Sequence, residues 1–189
     1  IKVSSNAAGM GGSQIWLQPG EEMSVRDLMK GITMASANDA TVALAERIAG
    51  TEEAFVKLMN DKVKELGLKN THFVNPTGLD EENHYSSAYD MAMIAKELLN
   101  HEQILEFSSV YEDYIRIDTP NKFWLVNTNK LVRFYEGADG LKTGFTDNAK
   151  YCMAVTAKRD NMRLIAVVLG EESGKVRNSE TMELLDYGF

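Results

Sequence analysis

The stretch Asp139–Thr146, which reads DGLKTGFT, decides how the rest of this sequence is interpreted. It has the composition of a strand, in which a lysine, a hydroxyl and a glycine follow one another. Glycines in a strand often mark a place where a ligand or another backbone comes very close. Gly144 would let a substrate lie along the strand edge, while Lys142 supplies positive charge and Thr143 a hydrogen bond. A lone Lys-Thr-Gly is more often an ordinary hairpin strand, so a chemical role requires a partner elsewhere in the chain.

Composition excludes several classes of protein. The 189 residues are 44% hydrophobic and 25% charged, which is ordinary for one soluble globular domain with a sizeable core. A net charge of −8 argues against a general nucleic-acid binder. No apolar run reaches membrane-spanning length and no signal peptide is visible, but a chain that starts at Ile1 looks processed or trimmed. The single Cys152 excludes an internal disulfide and a cysteine-based zinc site, and it does not choose between cytosolic and exported proteins.

The first part of the chain predicts a loop followed by helices. Residues 1–20 are rich in Gly, Ser and Asn and predict a loop with a short strand at Ser13–Leu17. Ser24 is a good N-cap for the first helix. Its apolar period falters at residues 35–39, where Ser, Asn and Asp compete for backbone hydrogen bonds. Two further helices follow, and the second ends at Gly67.

The middle of the chain alternates between irregular and periodic segments. Residues 68–85 have no sustained period and predict a long ordered loop, a kind that is often functional. A helix resumes near Ser87–Leu99. The period then changes to two, which predicts strands at Tyr111–Ile117 and Phe123–Val126.

The last third predicts the central sheet. After the Lys-Thr-Gly strand come strands at Tyr151–Lys158 and Arg163–Gly170, and then a closing helix at Val176–Tyr187. The run Leu164–Leu169 does not alternate, which predicts a strand buried on both faces with a neighbour on each side. Tyr151–Lys158 can be one neighbour, and no later strand could be the other. We therefore expect the sheet to be incomplete in this chain.

A second motif lies far upstream of the strand. Ser36-Ala37-Asn38 falls at the break between two helices, where the serine and the amide could point into a cleft. Alone, such a motif is more often a helix cap, because Ser and Asn favour caps for local reasons. Together with Lys-Thr-Gly it gives two of the three signatures of penicillin-binding proteins and serine β-lactamases. The third, S-x-x-K, carries the nucleophile.

Further stretches make the likeness specific. The chain resembles the catalytic domain of a serine-type D-alanyl-D-alanine carboxypeptidase, a low-molecular-mass penicillin-binding protein, over nearly its whole length. The stretches that carry the resemblance are SSNAA at 4–8, the segment 20–30, ASANDA at 35–40, THFVNPTGL at 71–79, NTNK at 127–130 and DGLKTGFT at 139–146. The resemblance implies an α/β (α+β) fold of the β-lactamase/transpeptidase type, in which an antiparallel sheet packs with helices beside a mostly helical region.

The chain departs from the family in one respect. No serine is followed three residues later by lysine. In the family, the S-x-x-K helix and the first strands of the sheet lie upstream of where this chain begins. We therefore expect residues 1–189 to be a single catalytic domain that is incomplete at its N-terminus, with that missing segment as its partner. In the family, a β-rich domain follows the catalytic domain, and we do not expect that domain within residues 1–189.

The resemblance implies acyl transfer on a peptidoglycan stem peptide that ends in D-Ala-D-Ala. The absent serine attacks the carbonyl between the two D-alanines, the absent lysine takes its proton, and water hydrolyses the acyl-enzyme. Ser36 would relay protons, Asn38 would hydrogen-bond the substrate amide or the catalytic lysine, and Lys142 would add positive potential. Thr143, aided by Arg177, would bind the terminal carboxylate.

The remaining roles also follow from the resemblance. The backbone N–H of Phe145 would supply half of the oxyanion hole, a donor worth about 2.7–4 kcal/mol in the barrier. Gly144 belongs to the substrate-binding strand. β-Lactam antibiotics would be covalent inhibitors of the complete enzyme, and no cofactor, metal or nucleic acid is implied. The family works outside the cytoplasm, at the outer face of the bacterial cytoplasmic membrane or in the cell wall.

Two alternatives stay open. A serine β-lactamase of the same fold is disfavoured because no convincing deacylating glutamate motif is evident and the segment Thr71–Leu79 resembles the carboxypeptidases more. If the 189 residues are considered alone, the missing nucleophile favours a non-catalytic scaffold or a peptidoglycan-binding fragment.

Other polar residues favour structural interpretations. The three histidines lack metal-ligand spacing, and the Glu81-Glu82 and Glu171-Glu172 pairs are typical of solvated loops. Cys152, in an apolar strand, is expected to be a small buried hydrophobe.

Overall fold

Capping side chains start the main helices where the sequence places them. In the computed structural model, which describes residues 1–189, Ser24 Oγ accepts a hydrogen bond from the Asp27 N–H, and Thr51 caps the third long helix in the same way. The helices are α1 (Ser5–Ala8), α2 (Val25–Ala35), α3 (Asn38–Ala49), α4 (Glu52–Glu65), α5 (Ala88–Leu98), α6 (Leu105–Ser108), α7 (Leu131–Phe134) and α8 (Gly174–Gly188). The strands are β1 (Glu112–Ile115), β2 (Phe123–Val126), β3 (Ala138–Thr146), β4 (Lys150–Arg159) and β5 (Met162–Glu171).

One core holds the helical region together. It packs α2 and α3 against the N-terminal segment and against the antiparallel β1–β2 hairpin. Its fully buried side chains include Ile15, Leu28, Met34, Val42, Ile115 and Leu125. Each side chain of this size stabilises the fold by about 1.5–3 kcal/mol when it leaves water. The N-terminal segment is therefore a structural part of the helical region and fixes one wall of the cleft described below.

The second core lies between the sheet and the closing helix. Strands β3, β4 and β5 form one antiparallel sheet in that order, so β4 is central. Met153 and Val155 of β4 pack with Leu185 of α8 and Leu131 of α7. The closing helix starts at Gly174, two residues earlier than expected, because Ser173 Oγ caps it at the Val176 N–H.

The sheet has two free edges in this chain. Strand β3 pairs only with β4, and β5 also pairs only with β4. The expected central position of Leu164–Leu169 is therefore only half realised, since one neighbour is present and no strand lies on the other side. Helices α8 and α5 both lie against β5 and cover the apolar run in part: Ala166 and Val168 are buried, whereas Leu169 is exposed.

The predicted strand at Ser13–Leu17 is wrong. The segment pairs with no strand, because its backbone N–H groups have a different acceptor. The N–H groups of Ile15 and Leu17 donate to the carboxylate of Asp39, which is completely buried at the start of α3. Between them, Trp16 adopts a left-handed backbone conformation with φ 59°, which interrupts the extended chain.

Residues 68–85 form the ordered loop that the sequence predicts. Its only regular pairing is a bridge between His72 and Tyr85. The prediction for Cys152 is wrong in part, since its side chain is half-buried and its Sγ donates to the Ala149 carbonyl. None of the helices combines the length and apolar character that crossing a bilayer requires.

Candidate active site

A cleft opens where the helical region meets the sheet. Its volume is about 440 Å³, and three segments wall it: the α2–α3 junction with Gly12 and Ser13, the loop Asn75–Leu79, and the strand stretch Lys142–Thr146. The sequence motifs Ser36-x-Asn38 and Lys142-Thr143-Gly144 therefore share one cavity. This is the arrangement that the resemblance implied, although 106 positions separate Ser36 from Lys142.

Ser36 is presented to the cleft by the end of α2. It is the C-cap residue and adopts a left-handed conformation with φ 58° and ψ 37°. A non-glycine residue in this region carries a steric cost, of about 1–2 kcal/mol. The conformation turns the chain sharply between α2 and α3. The Ser36 hydroxyl then accepts a hydrogen bond from Lys142 Nζ at 2.6 Å.

Lys142 supplies the positive charge of the cleft, and the residue is half-buried. Its Nζ also donates to the Thr143 carbonyl at 2.7 Å, so two of its three donor positions are used. Burial and, to a smaller extent, the positive charge of Arg177 together lower the pKa of Lys142 from 10.5 to about 8. A group with this pKa exchanges a proton readily near neutral pH.

Asn38 is fixed against the N-terminal segment. Its Nδ2 donates to the Gly11 carbonyl at 2.8 Å, and the residue is 6% exposed. A Cβ atom on Gly12 would lie 2.6 Å from Asn38 Nδ2, and Gly12 has φ 79°, so only glycine allows this approach. The side-chain oxygen of Asn38 remains available to a ligand.

Thr143 is supported by a residue that the sequence did not single out. The Thr143 hydroxyl donates to Thr128 Oγ1 at 2.7 Å. Thr128 stands between Asn127 and Asn129, which are 0% and 1% exposed. Its own N–H donates to the Met34 carbonyl at the end of α2. The NTNK stretch belonged to the family resemblance, and that was the only signal that could have pointed to it.

The two buried asparagines fix the stretch that carries Thr128. Asn127 Nδ2 donates to the Ser108 and Val110 carbonyls at 3.0 and 2.8 Å. Asn129 Nδ2 donates to the Gly140 carbonyl at 3.0 Å. Because each amide bonds a different chain segment, the pair fixes the NTNK stretch between residues 108–110 and strand β3.

Gly144 and Phe145 form the open side of the strand. A Cβ on Gly144 would meet nothing closer than Cys152 Cβ at 4.0 Å, so space remains for a ligand beside the backbone. The Phe145 ring is 54% exposed and packs against Tyr151 with centroids 4.4 Å apart. No strand pairs with the outer edge of β3, which leaves that edge available for an extended peptide.

Arg177 does not line the cleft. It is 7% exposed within α8, where it donates to the Asn178 side chain at 2.9 Å and, at 3.5 Å, to the Cys152 carbonyl. In the register of the sheet, Cys152 lies opposite Gly144, so the guanidinium approaches the site from behind β4. The structure thus brings six of the seven predicted site residues to the cleft and leaves Arg177 behind it.

The loop wall is internally braced. Asn75 Oδ1 accepts hydrogen bonds from the Thr77 and Gly78 N–H groups at 3.2 and 2.8 Å, and its Nδ2 donates to the Leu79 carbonyl at 2.9 Å. This is a side-chain-closed turn of the kind that asparagine favours.

A histidine lies at the base of the loop. His84 also lines the cleft, and its Nδ1 accepts from the Val74 N–H at 3.1 Å. Burial lowers the pKa of His84, as does the neighbouring His72. The neutral ring therefore holds the two arms of the loop together near neutral pH.

Comparison with known proteins identifies the family. Residues 1–173 match the family model of the D-alanyl-D-alanine carboxypeptidases. The D-alanyl-D-alanine carboxypeptidase DacF of Bacillus subtilis is 61% identical over 189 residues, which are 100% of this chain and 49% of that protein. DacC of Escherichia coli is 40% identical over 190 residues, covering 98% of this chain and 46% of DacC.

Solved structures agree with the sequence relatives. The crystal structure of penicillin binding protein 5 from Haemophilus influenzae matches with a TM-score of 0.91 at 37% identity, covering 100% of this chain and 55% of that one. The predicted fold of the β-lactamase/transpeptidase type is confirmed by this match and by that of a Streptomyces K15 DD-transpeptidase mutant, at TM-score 0.93. The chain spans about half the length of the curated relatives it matches. This chain belongs to the D-alanyl-D-alanine carboxypeptidase family of serine peptidases.

Proposed function

We propose that the protein containing this chain removes the terminal D-alanine from peptidoglycan stem peptides through an acyl-enzyme. The observation that carries the proposal is the contact between Lys142 Nζ and Ser36 Oγ at 2.6 Å, beside the free edge of β3. The contact joins a hydroxyl to a half-buried amine whose pKa is about 8, which suits proton transfer at neutral pH.

The nucleophile is assigned to polypeptide outside these 189 residues. No S-x-x-K motif occurs in the chain, whereas the matched relatives are about twice as long. The free edge of β5 and the cleft beside Ser36 are surfaces that such a segment would cover. An upstream segment of the same protein is therefore the proposed partner, bringing a serine and its lysine to the cleft.

Each residue of the cleft has a proposed step. Ser36 passes a proton between the amine of Lys142 and the departing D-alanine nitrogen. Asn38 offers its free amide oxygen to the peptide N–H, and the N–H of Phe145 stabilises the developing oxyanion. The Thr143 hydroxyl, which donates to Thr128 when no substrate is present, turns its proton to the terminal carboxylate.

Positive charges in the cleft and behind the sheet favour an anionic substrate. The positive charges of Lys142 and Arg177 both favour a carboxylate at Thr143. Arg177 acts through the sheet as a source of potential, because its guanidinium is occupied by Asn178 and Cys152. A change of its conformation would be needed for direct contact with substrate.

The proposal extends to inhibitors and to cellular location. A β-lactam presents a reactive carbonyl and a carboxylate in one molecule, so it is proposed to acylate the same serine. The substrate is a component of the cell wall, and we propose that the protein acts outside the cytoplasm.

The test uses the complete protein and a diacetyl-L-Lys-D-Ala-D-Ala peptide. Release of D-alanine is expected, together with a mass increase of one penicillin on a serine of the upstream segment. The Ser36→Ala variant of the complete protein should lose most D-alanine release. A stable penicillin adduct on Ser36 would overturn the assigned roles. Rapid penicillin turnover without D-alanine release would instead identify a β-lactamase.

A further inference from the structure

A single side-chain hydrogen bond links the loop wall of the cleft to the strand wall. Thr146 Oγ1 donates to Asp80 Oδ1 at 2.7 Å and accepts from the Ala149 N–H at 2.9 Å. A hydroxyl has one proton, and the Ala149 N–H already occupies an acceptor position. The proton of Thr146 is therefore committed to the Asp80 carboxylate.

The loop has few anchors apart from its braced turn, its base and this link. Up to Leu79 the loop is braced by Asn75, and its base is held where Asn60 bonds both the N–H and the carbonyl of Phe73. Residues 80–83 are exposed, and within them only Asp80 binds the strand by its side chain. Without that bond, no hydrogen bond would join the braced turn or Asp80 to strand β3.

The link lies at the end of the substrate-binding strand. Asn75–Leu79 and Lys142–Thr146 line the same cleft, and Thr146 is the last residue of β3. On the opposite side, Leu79 reaches the N-terminal segment, where its Cδ2 lies 3.7 Å from the Cβ position of Gly12. The loop thus crosses the cleft and is fastened to the strand at one end.

We propose that Asp80 and Thr146 are positioning residues, whose hydrogen bond holds the loop Asn75–Leu79 over the strand edge so that the stem peptide enters a preformed channel. This inference rests on the proposed carboxypeptidase function. Neither residue touches the reacting atoms. Because their bond orders the loop before the substrate binds, the binding free energy is not reduced by the entropy lost in ordering it. The bond therefore affects substrate binding and not the chemical step.

The test is a double-mutant cycle in the complete protein, with the diacetyl-L-Lys-D-Ala-D-Ala peptide. Thr146→Val and Asp80→Ala should each raise KM about fivefold, as expected for one net hydrogen bond, with kcat changed less than about twofold. The double variant should be no worse than either single one, because the bond is already lost. Thr146→Ser keeps the hydroxyl and should restore the original KM.

Two further variants separate this role from general stability and from charge. Thr119→Val is the matched control, because Thr119 Oγ1 also accepts an N–H, from Asn121, and donates to a carbonyl, that of Arg116, in a turn away from the cleft. Its KM should stay unchanged. Asp80→Asn keeps an acceptor oxygen without the charge and should raise KM by no more than about twofold.

A readout independent of activity is amide hydrogen exchange. Residues 75–83 should exchange faster in Thr146→Val than in Thr146→Ser, while α3 and β4 stay unchanged. Additive effects of Asp80→Ala and Thr146→Val on KM, or unchanged exchange in the loop, would overturn the inference. If the unmodified complete protein releases no D-alanine, it is the proposed function that fails, and the exchange measurement still decides whether the bond holds the loop.

Discussion

Lys142 Nζ lies 2.6 Å from Ser36 Oγ, and this contact joins the end of a helix to the substrate strand across the cleft. The lysine is held in a site that disfavours its charge, while the serine is held in a backbone conformation that disfavours its side chain. Both features cost stability locally, and the packing of the surrounding structure compensates for them. The pair therefore yields predictions in which stability and function change in different ways.

The first prediction concerns pH. The pKa of Lys142 is about 8 in the folded chain and 10.5 when exposed, so the unfolded state binds the proton more tightly. Its charge therefore costs stability fully below pH 8, and the cost disappears as pH rises from about 8 to 10.5. The quantity to compare is the unfolding free energy of Lys142→Met minus that of the wild type. This difference should be roughly 3 kcal/mol larger at pH 7 than at pH 10.5.

Urea unfolding of both proteins at several pH values between 7 and 10.5 measures this. Taking the difference between the two proteins removes the titration of the other lysines and of the tyrosines. A stability difference that is the same at every pH would show that Lys142 has an ordinary pKa.

The second prediction separates the backbone of Ser36 from its hydroxyl. Because φ is 58°, Ser36→Gly should be more stable than Ser36→Ala by about 1 kcal/mol. Both variants lose the acceptor for Lys142, so both should lose D-alanine release to a similar degree in the complete protein. Chemical denaturation and the peptide assay together check this. Equal stability of the two variants would contradict the strain.

The sequence predicted the helices well because their signals are local. Ser24, Thr51 and Ser87 each cap a helix within a residue or two of the expected start, since a capping hydroxyl acts on N–H groups three positions away. The cleft was predicted by family resemblance and not by periodicity. The contacts of Thr128 and the Asp80–Thr146 link follow from no local pattern, because their partners are distant in sequence.

Residues 13–17 have the apolar pattern of a strand but do not form one. The alternation of Ile15 and Leu17 is the alternation of a strand, and their N–H groups do point the same way. Their acceptor is a side-chain carboxylate of a helix, which a pattern of apolar residues cannot reveal.

That carboxylate gives the third prediction. Both oxygens of Asp39 accept backbone hydrogen bonds, Oδ1 from Ala40 and Oδ2 from Leu17, with Ile15 shared between them. An amide in either orientation would turn an NH₂ group toward an N–H donor. Asp39→Asn should therefore destabilise the chain almost as much as Asp39→Ala, by about 3 kcal/mol, because buried N–H groups lose their acceptor. Denaturant unfolding measures both, and an Asn variant of near wild-type stability would contradict this account.

The fourth prediction distinguishes the two glycines of the Lys-Thr-Gly strand, which the sequence treats alike. A Cβ on Gly140 would lie 2.6 Å from Ser108 Oγ, whereas a Cβ on Gly144 would meet only open space up to 4.0 Å. Ser108 is 1% exposed and cannot move freely. Gly140→Ala should cost about 2 kcal/mol of unfolding free energy, and Gly144→Ala less than about 0.5 kcal/mol.

Function should follow the opposite order. The methyl group of Gly144→Ala projects beside the strand edge, where the substrate is proposed to lie, so kcat/KM of the complete protein should fall about tenfold or more. Gly140→Ala should retain activity in the fraction that is folded. Removing the obstructing hydroxyl in Gly140→Ala/Ser108→Ala leaves the Cβ of residue 108 at 3.3 Å and Thr156 Cγ2 at 3.5 Å as the nearest atoms, and should recover part of the lost stability. Equal stability losses at the two glycines would mean that β3 can shift away from Ser108. The contact between β3 and the end of α6 would then not fix the position of the strand.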